Sequence, residues 1–206
     1  MRIWMLMLVL VICAASAPAR AQSESPARPR IEVAVGVGAS LDDGGRKDSP
    51  GAVVPSFFVM GGFGGGLVGV DLGVFANSAN GRYHDPSVMP VDRLGIHAIM
   101  VVRPLAELWP ADWRYGMRIA RTMAIDLGLG VERASRLARA AETVNRIGSL
   151  LGLHIDVPLT PRTTSRELRL RLAVRRFYGA SRAAFPDGEP VIDTRGEVFA
   201  ALAAVF

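Results

Sequence analysis

The chain has a single cysteine, Cys13, and it sits inside an apolar N-terminal stretch. Arg2 precedes that stretch, Ile3 to Ala15 is almost wholly apolar, and Ala19-Arg20-Ala21 offers small residues where a signal peptidase requires them. Residues 1–21 are therefore expected to be a cleaved signal peptide, with the processed chain starting at Gln22. Ile12 stands where a lipoprotein motif needs a small residue. Once Cys13 is removed, disulfides, thiolate metal sites and cysteine nucleophiles are all excluded.

Long hydrophobic runs are also missing. The N-terminal run falls short of the roughly 20 residues a membrane-spanning helix needs, and no later run is as apolar. Any insertion into a bilayer would have to be by strands, the other structure that satisfies its own backbone. Charge of one sign is not in large excess. Losing Arg2 and Arg20 lowers the basic count from 24 to 22 against 19 acidic residues, a net charge of +3. So small a surplus, dispersed along the chain, argues against a nucleic-acid partner.

Catalytic and cofactor patterns are lacking too. Gly61 to Gly66 has neither the following helix nor the lysine of a phosphate cradle. Ser87 and Ser181 are set in no nucleophile elbow, and His84 beside Asp85 forms no His-x-Ser pairing. His84, His97 and His154 do not have metal-ligand spacing. No catalytic residue, metal or cofactor is expected, and the chain does not read as an enzyme.

What remains is alternation. After a short lead-in at residues 22–30, Ile31, Val33, Val35 and Val37 share one face of a first strand, with Glu32, Ala34, Gly36 and Gly38 on the other. A second strand over Ala52 to Met60 carries Val53, Phe57 and Val59, though Pro55 interrupts it. Gly61-Gly62-Phe63-Gly64 reads as a tight turn. Val68, Val70, Leu72 and Val74 then form a third apolar row, and Leu94, Ile96, Ala98, Met100 and Val102 a fourth. Met123, Ile125, Leu127 and Leu129 make the fifth; Leu151, Leu153, Ile155 and Val157 the sixth. The seventh is the sharpest, with Leu168, Leu170, Leu172 and Val174 opposite Glu167, Arg169, Arg171 and Arg175. The eighth is Val198, Ala200, Leu202, Ala204 and Phe206.

Four connections, Leu41–Pro50, Asn77–Pro90, Glu132–Arg146 and Gly179–Asp193, read as long polar loops, and the Arg133, Arg136, Arg139 spacing in the third hints at a short helix. Of the three on the opposite side, the glycine turn and Pro158–Ser165 are short, while Leu105–Gly116, with Trp109, Trp113 and Tyr115, is longer. Long loops on one side and short turns on the other are the asymmetry of a transmembrane barrel. A soluble lipocalin-like barrel would alternate as well, with its apolar face inward. Glycine separates the two. Gly36, Gly38, Gly69, Gly73, Gly95, Gly128, Gly130 and Gly152 all fall on the polar face, where a narrow barrel needs small residues beside long charged ones.

The closing strand, ending on Phe206 with alternate apolar residues before it, resembles that of bacterial outer-membrane β-barrels, and the strand count resembles the OmpA- and OmpX-type barrels. The resemblance implies an all-β, eight-stranded antiparallel up-and-down transmembrane barrel over residues 31–206. It also implies an outer-membrane location, a surround of lipid and lipopolysaccharide, and Val198, Ala200, Leu202, Ala204 and Phe206 as the signal read by the barrel assembly machinery. A monomer is expected.

With the polar face inward, the lumen is expected to gather Glu32, Asp71, Asp126, Asp156, Glu167 and Glu197 with Arg93, Arg103, Arg169, Arg171 and Arg175. Both signs are needed there, because buried charges must be paired. A structural network filling the barrel is the preferred reading, and a narrow small-solute channel the alternative. Arg133, Arg136, Arg139 and Arg146 are candidate contacts for lipopolysaccharide phosphates, since guanidinium forks suit such groups. Phe177 and Tyr178, like the Trp109 cluster at the other rim, read as aromatic girdle residues. The expected role is envelope-structural or surface-interacting through the outer loops. Small outer-membrane barrels that modify lipid A keep an enzymatic alternative open, with Ser181 or His84 as its loop candidates.

Overall fold

In the computed structural model, the residues described are 30–42, 52–77, 91–106, 119–136, 143–160, 167–179, 184, 186, 188 and 194–206. Residues 1–29, covering the expected signal peptide and most of the lead-in, lie outside them, as do Ser87, His84, Ser181, Trp109, Trp113, Tyr115 and Arg139. Eight strands follow in order: β1 (Arg30–Asp42), β2 (Ala52–Gly65), β3 (Val68–Asn77), β4 (Val91–Val102), β5 (Ala124–Arg136), β6 (Thr143–Pro158), β7 (Glu167–Gly179) and β8 (Thr194–Val205). Each pairs antiparallel with its sequence neighbours, and β1 pairs with β8 to close the barrel. The seam extends past β8: the Phe206 amide donates to the Ile31 carbonyl at 2.9 Å. We call this the terminal end and the opposite one the loop end.

The barrel is apolar outside. The rows beginning Ile31, Val68 and Leu94 all face outward, and Ile96 and Leu129 are 63% and 65% exposed. The alternate residues point into the lumen, as the strictly alternating burial of β3 and β8 records. A lipocalin-like barrel needs the apolar row inside; here that row is the outer surface. Small residues let the lumen close. A side chain at Gly38 would overlap Phe199 and the Val198 carbonyl, and one at Gly148 would meet the Phe177 ring.

Several details of the strands differ from the sequence reading. Gly61–Gly64 is no turn: β2 runs on to Gly65, Phe63 stays outward, and the chain reverses at Gly66–Leu67, where Gly66 adopts φ 70°. A left-handed φ is what glycine supplies without strain. Glu132–Arg146 is not one loop with a helical hint. Its ends are strand, with Glu132 opposite Arg146 and Ser135 opposite Thr143 in the β5–β6 ladder. Pro55 lies within β2, but β3 ends at Asn77 opposite Ser56, so among the described residues Pro55 has a strand partner on one side only. Proline is tolerated at such one-sided positions.

Candidate functional site

The inward faces carry three tiers of charge. Nearest the terminal end, β7 projects Arg171, which is fully buried. Its Nη2 lies 2.5 Å from Glu32 Oε1 on β1, and its Nη1 3.0 Å from Asp71 Oδ2 on β3. Its Nε and Nη2 donate to the two oxygens of Asp156 on β6, at 2.8 and 3.1 Å. One guanidinium thus serves three carboxylates from three other strands, and β3 is the strand directly across the barrel from β7. Arg169 pairs with Glu167 at 2.7 Å and lies 3.6 Å from Asp156. Arg30 reaches Glu167 at 3.5 Å.

The middle tier is smaller. Asp126 accepts from Arg175 Nε at 2.7 Å and from His154 Nδ1 at 2.7 Å. A carboxylate can only accept, so the His154 proton is on Nδ1. Arg175 lies over the Phe199 ring, 4.7 Å from its centroid, and Phe199 stacks on Phe58 at 4.3 Å.

At the loop end the roles of the signs reverse, and one carboxylate serves two guanidiniums and an imidazole. Glu132 accepts from Arg195 at 2.6 and 2.8 Å, from Arg146 at 2.8 and 3.2 Å, and lies 3.3 Å from His97 Nε2. Arg195 also bonds Glu197. Aromatic rings cover this tier. Arg195 stands 4.0 Å over Phe75 and Arg146 5.0 Å over Phe177, with the His97 ring between Phe75 and Phe177. These are cation–π contacts in a desolvated setting.

Of the residues singled out from sequence, Glu32, Asp71, Asp126, Asp156, Arg171, Arg175 and Glu197 are buried in these tiers. Glu167 and Arg169 lie at the terminal mouth, where Arg103 lines the same cavity just past β4. Arg93 is buried near the loop end, its amide donating to Asn77 Oδ1 at 2.8 Å. Val198, Leu202 and Phe206 face outward along one row with Ala200 and Ala204.

Two assignments need correction. Arg146 is no loop arginine free to meet lipopolysaccharide: it belongs to β6, its residue 2% exposed, held in the lumen by Glu132. Phe177 is not a girdle residue but a lumen ring with no exposure, whereas Tyr178 does face out, with Arg176 over its ring at 5.5 Å. Arg133 is exposed on the outer wall of β5, and the Arg136 side chain lies outside the described residues. Glu132, Arg146 and Arg195, the centre of the loop-end tier, were not anticipated as lumen groups. Their signal was parity: each keeps step with an inward residue already identified on its strand.

No protein-family model matches the sequence, and no curated protein matches it. Solved structures do. Neisserial surface protein A aligns over 87% of this chain and 98% of its own, with a TM-score of 0.55 and 12% identity. Ail, the attachment invasion locus protein of Yersinia pestis, matches with a TM-score of 0.45 and 13% identity over 86% of this chain and 99% of its own. A major outer membrane protein of Thermus thermophilus matches with a TM-score of 0.46 and 12% identity, over 86% of this chain and 99% of its own. At such identities the likeness is one of architecture. With its closed antiparallel barrel, apolar exterior and charged interior, this chain has the fold of the small eight-stranded outer-membrane β-barrels.

Proposed function

We propose that the protein is an integral outer-membrane barrel, exported through a cleaved signal peptide and acting without catalysis, as a structural and surface-interacting element of the envelope. The observation that carries this reading is the apolar outer surface that runs around all eight strands while arginines and carboxylates fill the lumen. Such a surface is stable in lipid and a liability in water. The paired charges and stacked rings support a filled barrel rather than a channel, since eight strands leave an interior only wide enough for side chains. Lipid and lipopolysaccharide are its surroundings, with Arg133, and Arg136 and Arg139 after it, as the arginines available for outer-leaflet phosphates. The Val198 to Phe206 row is the proposed recognition signal for the assembly machinery, and the barrel works as a monomer.

Fractionation tests the location: the folded protein should need detergent for extraction, and recovery in a detergent-free periplasmic extract would refute the membrane reading. Purified barrel in planar bilayers should give no reproducible conductance. Steady channel currents would instead make it a small-solute pore.

A further inference from the structure

We propose that the outer wall over β6, β7 and β8 holds one lipid A molecule, with a phosphate on Arg176 and Tyr178 and an acyl chain in a groove beneath them. This site presupposes the membrane reading above. Its height follows from strand register. One row of outward ladder partners leaves β1 at Ile31, passes Leu127 and Leu151, crosses Arg176 and Gly196, and returns to β1 at Leu41. All the partners between Ile31 and Arg176 are apolar. One circuit climbs about 25 Å of tilted strand, the full height of a barrel's apolar band. Arg176 is two strands short of Leu41 on that climb, so its Cα lies about 6 Å below the upper edge.

A lipid-facing arginine at that depth is costly unless its head group reaches the interface and an anion there. Arg176 turns that way. Its Cζ stands 5.5 Å from the ring centroid of Tyr178, two residues nearer the loop end on the same exposed face of β7. Tyr178 brings a phenol to the interface, where its hydroxyl can donate. The flanks are low. Ser149 lies opposite Tyr178 on β6 and Gly196 opposite Arg176 on β8, so a head group can settle against both.

Beneath Arg176 the wall is recessed. A groove of about 560 Å³ has Val174, Val198, Leu153, Leu172, Val37 and Ala200 in its walls. Val174 is the next outward residue below Arg176, and Ala200 lies between Leu172 and Val37. The short Ala200 side chain gives the groove its depth. An apolar slot that ends at a guanidinium and a phenol matches one lipid, acyl chain below and charged head above. A guanidinium fork takes two phosphate oxygens. Long loops mark this end as the outer one, so the phosphorylated lipid that meets it is lipid A.

The test is native mass spectrometry of the folded full-length barrel in non-ionic detergent. The probes are bis-phosphorylated lipid A, dephosphorylated lipid A and phosphatidylglycerol. One lipid A per barrel should bind saturably, and the other two lipids more weakly. Arg176→Gln should weaken lipid A binding by about tenfold or more, the loss of a charge-assisted contact, and Arg176→Lys by less. Neither should alter binding of the dephosphorylated lipid. Ala200→Leu, which fills the groove, should weaken both forms of lipid A. Ala76→Leu, outward on β3 across the barrel, should change nothing. The heat-modifiable folded band on a gel verifies that each variant is folded. Equal binding with and without phosphates, or an Arg176→Gln or Ala200→Leu protein that binds like the parent, would overturn the site. So would phosphatidylglycerol binding as tightly as lipid A, or an Ala76→Leu protein that loses as much as Ala200→Leu. A parent that inserts into liposomes yet gives those results refutes the site alone; one that stays soluble without detergent refutes the membrane reading.

Discussion

The two ends of the lumen solve one problem in opposite ways. At the terminal end a single arginine, Arg171, gathers three carboxylates, and a cavity opens beside it. At the loop end a single carboxylate, Glu132, gathers Arg195, Arg146 and His97, and Phe75 and Phe177 close over the guanidiniums. A hub carboxylate surrounded by cations leaves positive charge that ring faces can share. A hub arginine surrounded by carboxylates has no such help and must satisfy every acid itself. The first arrangement packs dry; the second tolerates an opening at its edge.

Removing each hub tests this difference. Arg171→Leu strands three buried acids and should cost about 3–5 kcal/mol, read as a lower temperature for loss of the heat-modifiable folded band. Adding Asp71→Asn and Asp156→Asn should restore most of that loss. If Arg171→Leu melts like the parent, the terminal end does not depend on its hub. Next comes the wall that both ends share. Leu172, 44% exposed and near the middle of β7, faces outward, so Leu172→Arg should cost about 2–4 kcal/mol in a bilayer. Leu170→Arg, nearer the strand end, should cost less, and the lumen substitutions that rescue Arg171→Leu should do nothing for either. An unaltered melting temperature for Leu172→Arg in lipid would mean the outer face is in water.

Glu132→Gln should be milder, about 2–3 kcal/mol, because Arg195 keeps Glu197 and the rings remain over the cations. A loss larger than that of Arg171→Leu would reverse the contrast between the ends. The smallest effect is expected for Arg103→Gln, within about 0.5 kcal/mol of the parent, since it breaks no ion pair among the described residues. A large loss there would make the mouth arginines part of the network rather than bystanders to it.

Much of this was legible from side-chain parity. The Leu168 to Val174 row and its charged opposite face mark β7 without ambiguity, because lipid outside and ion pairs inside demand opposite chemistry at successive positions. Failure came where lumen chemistry imitates loop chemistry. Glu132 and Arg146 read as solvated because charge without apolar neighbours usually is. Yet Glu132 keeps step with Asp126, and Arg146 with Gly152 and His154, so the inward rows simply continue. Phe177 erred the other way. An aromatic near a strand end suggests a girdle, but it keeps step with Arg171 and Arg175 and so points inside. Which acid meets which arginine was not legible at all. Strand register decides it: Asp156 stands directly opposite Arg171 on the neighbouring strand, while Arg175 reaches across Gly152 to Asp126.

Arg171 also bears on how the barrel forms. Its bond to Asp71 joins residues 100 apart in sequence, on strands that never pair, and the Arg175 contact with Met60 spans 115. Neither can exist until the sheet has curled round on itself. An open sheet of six or seven strands would keep the neighbour-strand pairs Glu132–Arg146 and Asp156–Arg171 but lack these contacts across the lumen, so partly assembled forms gain only part of the network. The cross-lumen contacts arrive together, late, and only in the finished ring. Loop-closure entropy makes such distant contacts slow to reach, and the gain on reaching them makes unfolding an all-or-none event, with strand loss at the seam releasing the whole interior at once.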